Sequence, residues 1–461
     1  MDEYDVVVIG QGPAGENAAG RCADGGLSVA VVERELLGGE CSYWGCVPSK
    51  TLLRPGDVLA AARRVPGAAE AVTGSVDAPA AFAQRDYMTN NWDDAGDARW
   101  LADKSIDLVR GDGRLVGERR VEVAVRDGGV RTLTARRAVV LATGTRPVMP
   151  PIEGLAEARP WDNRSITSAK EVPARLLVLG GGTIGVEMAQ GFRRLGSAEV
   201  TVVEGGPRLI AREEPFAGDE VRAAFDAEGI AVHTGVLVTA AHRAGADGPV
   251  RATLSDGRTV EADEILVAVG RRPATDTLGL ESVKLTPGRY VEVDDSLRAV
   301  GIPGDWLYAI GDCNGRALLT HMGKYHGRLA ADHILGRAVE PVTPVVPRVT
   351  FTDPQVCAVG PTEEQAREQG LDVRVVTYPT GGVAGAYVRG NGIAGTSRLV
   401  VDAAREVVVG ATFTGPEVQE LLHSATVAIV GQVPLRRLWH AVPSFPTVSE
   451  VWLRLLEAYG I

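Results

Sequence analysis

The sequence predicts an α/β protein built on two Rossmann-like dinucleotide-binding units, followed by an α+β C-terminal domain. Two observations predict the paired units. An apolar strand, a glycine-rich turn, a helical stretch, a second strand and a terminal acidic residue follow one another over residues 5 to 33, and again over residues 176 to 204. A third observation sets the rest apart: from about residue 345 strands run on through Val401, and helices occupy residues 416 to 431 and 449 to 458.

In the first unit, residues 5 to 9 form the apolar run of a buried parallel strand. In the turn that follows, Gly10 permits tight reversal, Gly12 lets the backbone approach a pyrophosphate, and Gly15 allows close helix–strand packing. The helix, running to about Cys22, aims its N-terminus at phosphates. The second strand, Ser28 to Val32, ends at Glu33, which is placed to accept hydrogen bonds from a ribose.

Next comes Gly38-Gly39-Glu40-Cys41-Ser42-Tyr43-Trp44-Gly45-Cys46-Val47-Pro48-Ser49-Lys50. If Cys41 begins a helix and Cys46 lies one distorted turn on, the sulfurs meet in a small ring that is easily reduced and reformed. A helix N-terminus favours thiolate over thiol. The competing readings are two buried thiols or half a zinc site, and zinc lacks a second cysteine pair. Tyr43 and Trp44 are placed to narrow a pocket or stack on a flat substrate. Residues 51 to 64 continue a helix that Pro66 and Gly67 break, residues 79 to 105 read as a polar helix pair, and strands fill residues 107 to 140.

The second unit places Gly180, Gly182 and Gly185 after a strand, and its second strand ends at Glu204. A carboxylate there accepts from the free 2′-hydroxyl of NAD and repels the 2′-phosphate of NADP; Arg208, four residues on, softens that preference. NADH is the expected coenzyme.

The 461 residues suffice for about three domains. A net charge of −11 argues against nucleic acid or an anionic membrane surface as partner. No signal-peptide pattern opens the chain and no apolar run is long enough to span a bilayer, so a cytoplasmic protein is expected. There a catalytic disulfide is more at home than a structural one. Cys22, Cys313 and Cys357 are scattered and read as small buried apolar residues.

The cysteine stretch resembles the active-site segment of the pyridine nucleotide–disulfide oxidoreductases, the family of dihydrolipoamide dehydrogenase, glutathione reductase and mercuric reductase. The likeness covers nearly the whole chain, with the motifs in the family's order. It implies FAD in the first unit and a nicotinamide nucleotide in the second. It implies a flavin-domain turn at Thr143-Gly144, a crossover back at Gly270, and Asp312 on the flavin's ribityl hydroxyl. The helix opened by Leu319-Thr320-His321 would then lie near the flavin's pyrimidine ring. Cys46 becomes the sulfur nearer the flavin and Cys41 the interchange thiol, while Lys50 and Glu187 form an ion pair beside the flavin's reactive nitrogen. The implied domains are residues 1–150 and 273–342 for FAD, 151–272 for NAD(P), and 343–461 for pairing two subunits into a homodimer, each completing the other's site.

One part departs from the pattern. Relatives with a dithiol carry His-Pro-Thr-x-x-Glu near the C-terminus, and the histidine serves the interchange thiol as acid and base. Here the segment reads Phe445-Pro446-Thr447-Val448-Ser449-Glu450. Phenylalanine moves no proton. Either His440 reaches in, or the acceptor needs no protein base, or the pair serves a specialised biosynthetic reaction. The expected activity is NAD(P)H-driven reduction of a disulfide or other small acceptor. A direct flavin-to-acceptor quinone or metal reductase is the alternative, and a redox-sensing flavoprotein without turnover is a third. No metal site is expected.

Overall fold

The structure, a computed structural model, describes residues 2–245 and 248–461. The chain forms two compact units. The first comprises the residues up to Pro48, Gln84–Val148 and Gly270–Pro344, and the second Ser49–Ala83, Met149–Val269 and Val345–Ile461.

The first unit is built on a six-stranded sheet. Its central strand, Asp2–Ile9, pairs in parallel with Val29–Glu33 on one side and Val130–Leu141 on the other. Both faces are covered, which is why Val6, Val7, Val8 and Val29 to Val32 form unbroken apolar runs and are buried throughout. Asp107–Leu115 and Arg120–Val125 close the sheet around to Val130–Leu141, and Leu307–Ala309 adds a parallel edge. The fingerprint helix Pro13–Asp24 lies against the helix Thr320–Ile334 so closely that a Cβ on Gly327 would sit 2.5 Å from the Ala14 carbonyl oxygen. A two-stranded ribbon, Thr145–Pro147 with Arg271–Pro273, lies where the chain leaves this unit and returns to it.

The second unit holds a four-stranded parallel sheet in the order Glu264–Val267, Arg175–Leu179, Glu199–Glu204, Ile230–Thr234. A three-stranded antiparallel sheet accompanies it. The C-terminal region adds a five-stranded antiparallel sheet, Arg348–Thr350, Gln355–Val359, Val407–Gly415, Thr396–Asp402 and Val373–Pro379 in spatial order. The helices Gln419–Val430 and Val451–Tyr459 cover it, with Trp452 tilted on Phe413 at 6.0 Å between ring centroids.

Residues 49–83 pack with the second unit, although they lie inside the 1–150 stretch that the sequence assigns to FAD. Their apolar residues Leu52, Leu53, Ala81 and Phe82 enter the core around Phe192 and Phe225. Truncating either fully buried phenylalanine to alanine is worth about 3–5 kcal/mol. Among the described residues no helix is long and apolar enough to cross a membrane.

Candidate active site

The cysteine stretch is two helices, not one distorted turn as the spacing suggested. Cys41 lies in the short helix Gly39–Tyr43, which ends where Trp44 leaves helical geometry at φ −139°, ψ 5°. Cys46 opens the 19-residue helix Cys46–Arg64. Between them the backbone folds back, and a Cβ on Gly45 would lie 3.0 Å from the Glu40 carbonyl oxygen and 3.3 Å from the Cys41 Cα. A side chain at that crossing would require its backbone neighbours to give by a few tenths of an ångström. The fold-back puts the two sulfurs within hydrogen-bond reach. That bond to Cys46 first, and burial second, hold the Cys41 thiol far above the usual cysteine range, while the Thr320 hydroxyl pulls it the other way. Thr320 Oγ1 also lies 3.4 Å from Cys46 Sγ.

Tyr43 does not face a pocket. It is 3% exposed, and its phenol donates to Asp97 Oδ2 at 3.2 Å. The Trp92 indole N–H caps its carbonyl at 3.2 Å. Trp44, by contrast, is half-buried.

A hydrogen-bonded relay runs beside this turn. Thr145 Oγ1 donates to Asp312 Oδ2 at 2.9 Å, and Arg271 Nε donates to Thr145 Oγ1 at 2.7 Å. The Arg271 guanidinium also reaches the Thr145 carbonyl at 2.9 Å and lies 3.7 Å from Glu40, the neighbour of Cys41. Burial raises the Asp312 carboxyl above the ordinary range. A carboxylate oxygen such as Asp312 Oδ1 can accept from a ligand hydroxyl. Sequence reasoning missed Thr145, Arg271 and the hydroxyl contact of Thr320, because distant segments contribute each of them.

The residues of the first unit fit FAD. Gly12 has open space where a side chain would point, whereas a Cβ on Gly15 would lie 2.0 Å from the Gly10 carbonyl oxygen. Among the described residues the buried Gln11 Oε1 and Thr143 Oγ1 have no hydrogen-bond partner, so both are available to a polar ligand. Glu33 accepts the Gln11 and Glu35 backbone N–H groups at 2.8 Å each and retains lone pairs for a ribose. Gly144 takes φ +67° at the end of the strand.

The second fingerprint repeats this wiring. A Cβ on Gly185 would sit 1.9 Å from the Gly180 carbonyl oxygen, Gly182 faces open space, and Glu204 accepts the Gly181 and Gly206 N–H groups at 2.6 Å each. Arg208 donates to the Ala211 carbonyl of its own loop at 3.1 Å. Gly270, at φ +137°, accepts the Val148 N–H at 3.0 Å within the first unit.

The helix Thr183–Leu195 carries a polar ladder. Glu187 is 2% exposed and has both oxygens engaged, Oε2 by Lys50 Nζ at 2.6 Å and Oε1 by the Phe351 backbone N–H at 2.9 Å. Above it Thr183 meets Thr350 at 3.1 Å. Below it Gln190 accepts the Asp353 N–H at 2.7 Å and donates to the Asp353 carbonyl at 2.9 Å. Arg194 reaches Asp353, Glu228 and Asp57 at 2.8, 2.7 and 3.1 Å. Leu53 fills the notch at Gly191, where a Cβ would lie 2.7 Å from Leu53 Cδ2. The helix Cys46–Arg64 therefore zips onto this ladder through Lys50, Leu53 and Asp57, one face at helical spacing. Burial raises the Asp57 carboxyl to about 6; Arg194 pulls it down, and the negative charges of Asp353 and Glu228 push it up.

At the C-terminal segment Phe445 is 75% exposed. Glu450 is buried, its Oε2 has no hydrogen-bond partner among the described residues, and Arg454 stands 4.0 Å from its Oε1. His440 is exposed. Among the described residues no group of three or more His, Cys, Asp or Glu side chains is arranged to hold a metal ion.

Comparison with known proteins agrees along the whole chain. The pyridine nucleotide-disulphide oxidoreductase profile matches residues 4–327, and the profile of that family's dimerisation domain matches residues 346–455. A dihydrolipoyl dehydrogenase of Chlorobaculum tepidum is 35% identical over 461 residues, covering 97% of this chain and 95% of that one. A mercuric reductase of Staphylococcus aureus is 30% identical over 451 residues, covering 97% of this chain and 81% of the relative. Among solved structures, the Cu(II) complex of the HOCl-induced flavoprotein disulfide reductase RclA from Escherichia coli superposes with a TM-score of 0.87 at 27% identity, over 99% of each chain. LpdA from Mycobacterium tuberculosis gives a TM-score of 0.87 at 26% identity, over 100% of each.

Proposed function

We propose a function for a chain that belongs to the pyridine nucleotide-disulphide oxidoreductases, FAD-dependent enzymes that use NAD(P)H and a redox-active disulfide. The protein passes electron pairs from NADH through Cys41 and Cys46 to a disulfide or other small acceptor. The observation that carries this reading is the fold-back at Gly45, which sets the two sulfurs within hydrogen-bond reach.

Gln11, Glu33, Thr143 and Asp312 are the residues that would hold FAD, with Gly10, Gly12, Gly15 and Gly144 shaping its path. Gly180, Gly182, Gly185 and Glu204 would hold the nicotinamide nucleotide. FAD, when bound, supplies the step that converts a hydride equivalent into an electron pair deliverable to a disulfide. With the pair reduced, the Cys41 sulfur attacks one sulfur of a substrate RSSR and expels RS⁻. The Cys46 sulfur then displaces the second RS⁻ from Cys41 and restores the Cys41–Cys46 disulfide. Each cysteine gives up one proton and each RS⁻ takes one, so two electrons and two protons reach the substrate. Thr320 would donate to the sulfur once it carries charge, and by the family likeness Lys50, held by Glu187, would supply a positive charge to the reduced flavin.

The raised Cys41 thiol needs help to lose its proton, and Phe445 gives none. This favours acceptors whose leaving thiolate is stable without protonation. It also supports a second reading, in which the acceptor takes electrons without a protein proton, as a metal ion or quinone does. Mercuric reductases and the copper-bound RclA are similar proteins whose names point that way. His440 of a second subunit is the remaining candidate base. Cys46→Ser separates the routes: disulfide reduction by NADH falls to background, while a direct flavin route keeps most of its rate. Full disulfide turnover by that variant would sink the proposal.

NADH is the proposed donor because Glu204, held by two backbone N–H groups, would accept from a free 2′-hydroxyl and repel a 2′-phosphate. A kcat/KM for NADPH equal to that for NADH would reject this. We further assign a homodimer, since the region matched by the dimerisation profile exposes Tyr387, Val388, Val442 and Phe445 at 69–83%. Sedimentation at micromolar concentration checks it. The cytoplasm is the proposed compartment, to be checked by cell fractionation.

A further inference from the structure

We infer that Phe351 is a positioning residue that holds both members of the Lys50–Glu187 pair, a role that rests on the one just proposed for Lys50. The Phe351 backbone N–H donates to Glu187 Oε1 at 2.9 Å, and its ring lies beneath the Lys50 ammonium at 4.9 Å from the centroid. One residue thus fixes the carboxylate through its main chain and the ammonium through its side chain.

The two restraints do different jobs. The Lys50–Glu187 contact at 2.6 Å sets a distance but leaves the ammonium a range of directions around the carboxylate oxygen. Lys50 has a flexible four-carbon stem and its side chain is one-third exposed, so water competes for its other two donors. A ring face below the ammonium removes part of that freedom without taking a hydrogen bond away from a ligand. The carboxylate is over-determined by comparison, being buried with a donor on each oxygen.

Phe351 in turn cannot drift. The residue before it is tied to Thr183, and Asp353 is bound to Gln190, Arg194 and Arg64. Phe351 lies within the stretch matched by the dimerisation profile. The segment that opens the subunit-pairing region therefore also sets the charge pair on the helix that begins at Cys46.

The test compares Phe351→Leu with Phe351→Tyr and Phe351→Trp in the FAD-loaded dimer. Three quantities are read: the rate of flavin bleaching by NADH, the long-wavelength absorption of the two-electron-reduced protein, and the flavin midpoint potential. Removing the ring slows bleaching about three- to tenfold, the range of a cation–π contact. It also weakens the long-wavelength band and moves the potential negative, since a displaced ammonium stabilises the reduced ring less. Tyr and Trp retain all three values near wild type. A Leu variant whose only change is a lower Tm overturns the inference and makes Phe351 ordinary core. If Leu fails to bind FAD, Phe351→Met fills the same space without a ring face and is read in its place, by the same three quantities. Lys50→Met is the control. If it leaves band, rate and potential unchanged, the role of Lys50 itself fails; if it moves them and the Leu variant does not, only the inference about Phe351 fails.

Discussion

The two fingerprint helices start alike and diverge within two turns. Both begin at a glycine with open space before it, both pack a third glycine on the first glycine's carbonyl, and both have an acidic residue clasping the turn. Beyond that, Pro13–Asp24 continues in small residues, with Ala18, Ala19 and Gly20 buried, and meets the helix Thr320–Ile334 at near backbone contact. Thr183–Leu195 instead carries Thr183, Glu187, Gln190 and Arg194 down one face, each with a polar partner. The first helix is a close-packed cradle. The second also holds the Lys50–Glu187 charge pair on which the proposed chemistry draws. Dispersion and steric fit govern the one, and hydrogen-bond and ion-pair geometry the other.

The difference is broken most severely at the glycines. Gly15→Val would drive its side chain into the Gly10 carbonyl, with the Cβ alone at 2.0 Å, and nothing flexible can yield there. The expected outcome is loss of FAD, seen as colourless purified protein with a collapsed Tm. Glu187→Gln should leave the flavin bound and yellow yet slow its reduction by NADH about 100-fold, the lower range for removing an organised electrostatic group. If Glu187→Gln also sheds FAD, the division between cradle and chemistry is wrong.

The cradle was plain in the sequence, because a glycine turn between two apolar strands is a local pattern with a local cause. Cys41, Cys46, Lys50 and Glu187 were legible too, the last two only through family likeness, since no spacing rule joins residues 137 apart. Phe351, Thr145 and Arg271 were not legible. Each acts through a contact whose partner lies far along the chain, and a phenylalanine just past a short strand gives no sign that its ring will face an ammonium. The two aromatics at 43 and 44 misled for a related reason. Adjacent residues suggested one surface, but the break after Tyr43 turned that ring into the core toward Asp97.

A second way to sharpen the comparison is to restore the missing proton carrier. Phe445→His adds imidazole to a segment that still has Glu450, whose Oε2 lacks a partner among the described residues. Lipoamide turnover by the native protein should lie at least ~100-fold below that of a true dihydrolipoamide dehydrogenase, and the substitution should recover a measurable part of it near neutral pH. Recovery should depend on Glu450, so Phe445→His with Glu450→Gln loses it. Native turnover at the full dehydrogenase rate would show that Cys41 already has a base.

The smallest effect tests the ladder through pH. In the second unit Asp57 is held near 6 by burial, above its unfolded value. Between about pH 4 and 6 the folded chain keeps a proton there that the unfolded chain has released, so this group's stabilisation is complete at low pH and lost as pH rises through 6. In the first unit His326 shows the reverse. It is buried, accepts the Gly311 N–H at 3.3 Å, and is pushed down to about 4 by desolvation. The unfolded chain binds that proton first, so stability falls as pH drops from about 6.5 toward 4. Asp57→Asn removes one of three carboxylates competing for Arg194 and leaves Glu228 and Asp353 in place. It should therefore stabilise the protein at pH 7.5 by about 1–2 kcal/mol, after allowing for solvent screening of a partly exposed side chain, and by nothing at pH 4. Thermal unfolding of both proteins across pH 4 to 8 measures this. A variant less stable than wild type at pH 7.5 would mean that Arg194 needs all three carboxylates, and that the ladder is held by that ion pair rather than strained by it.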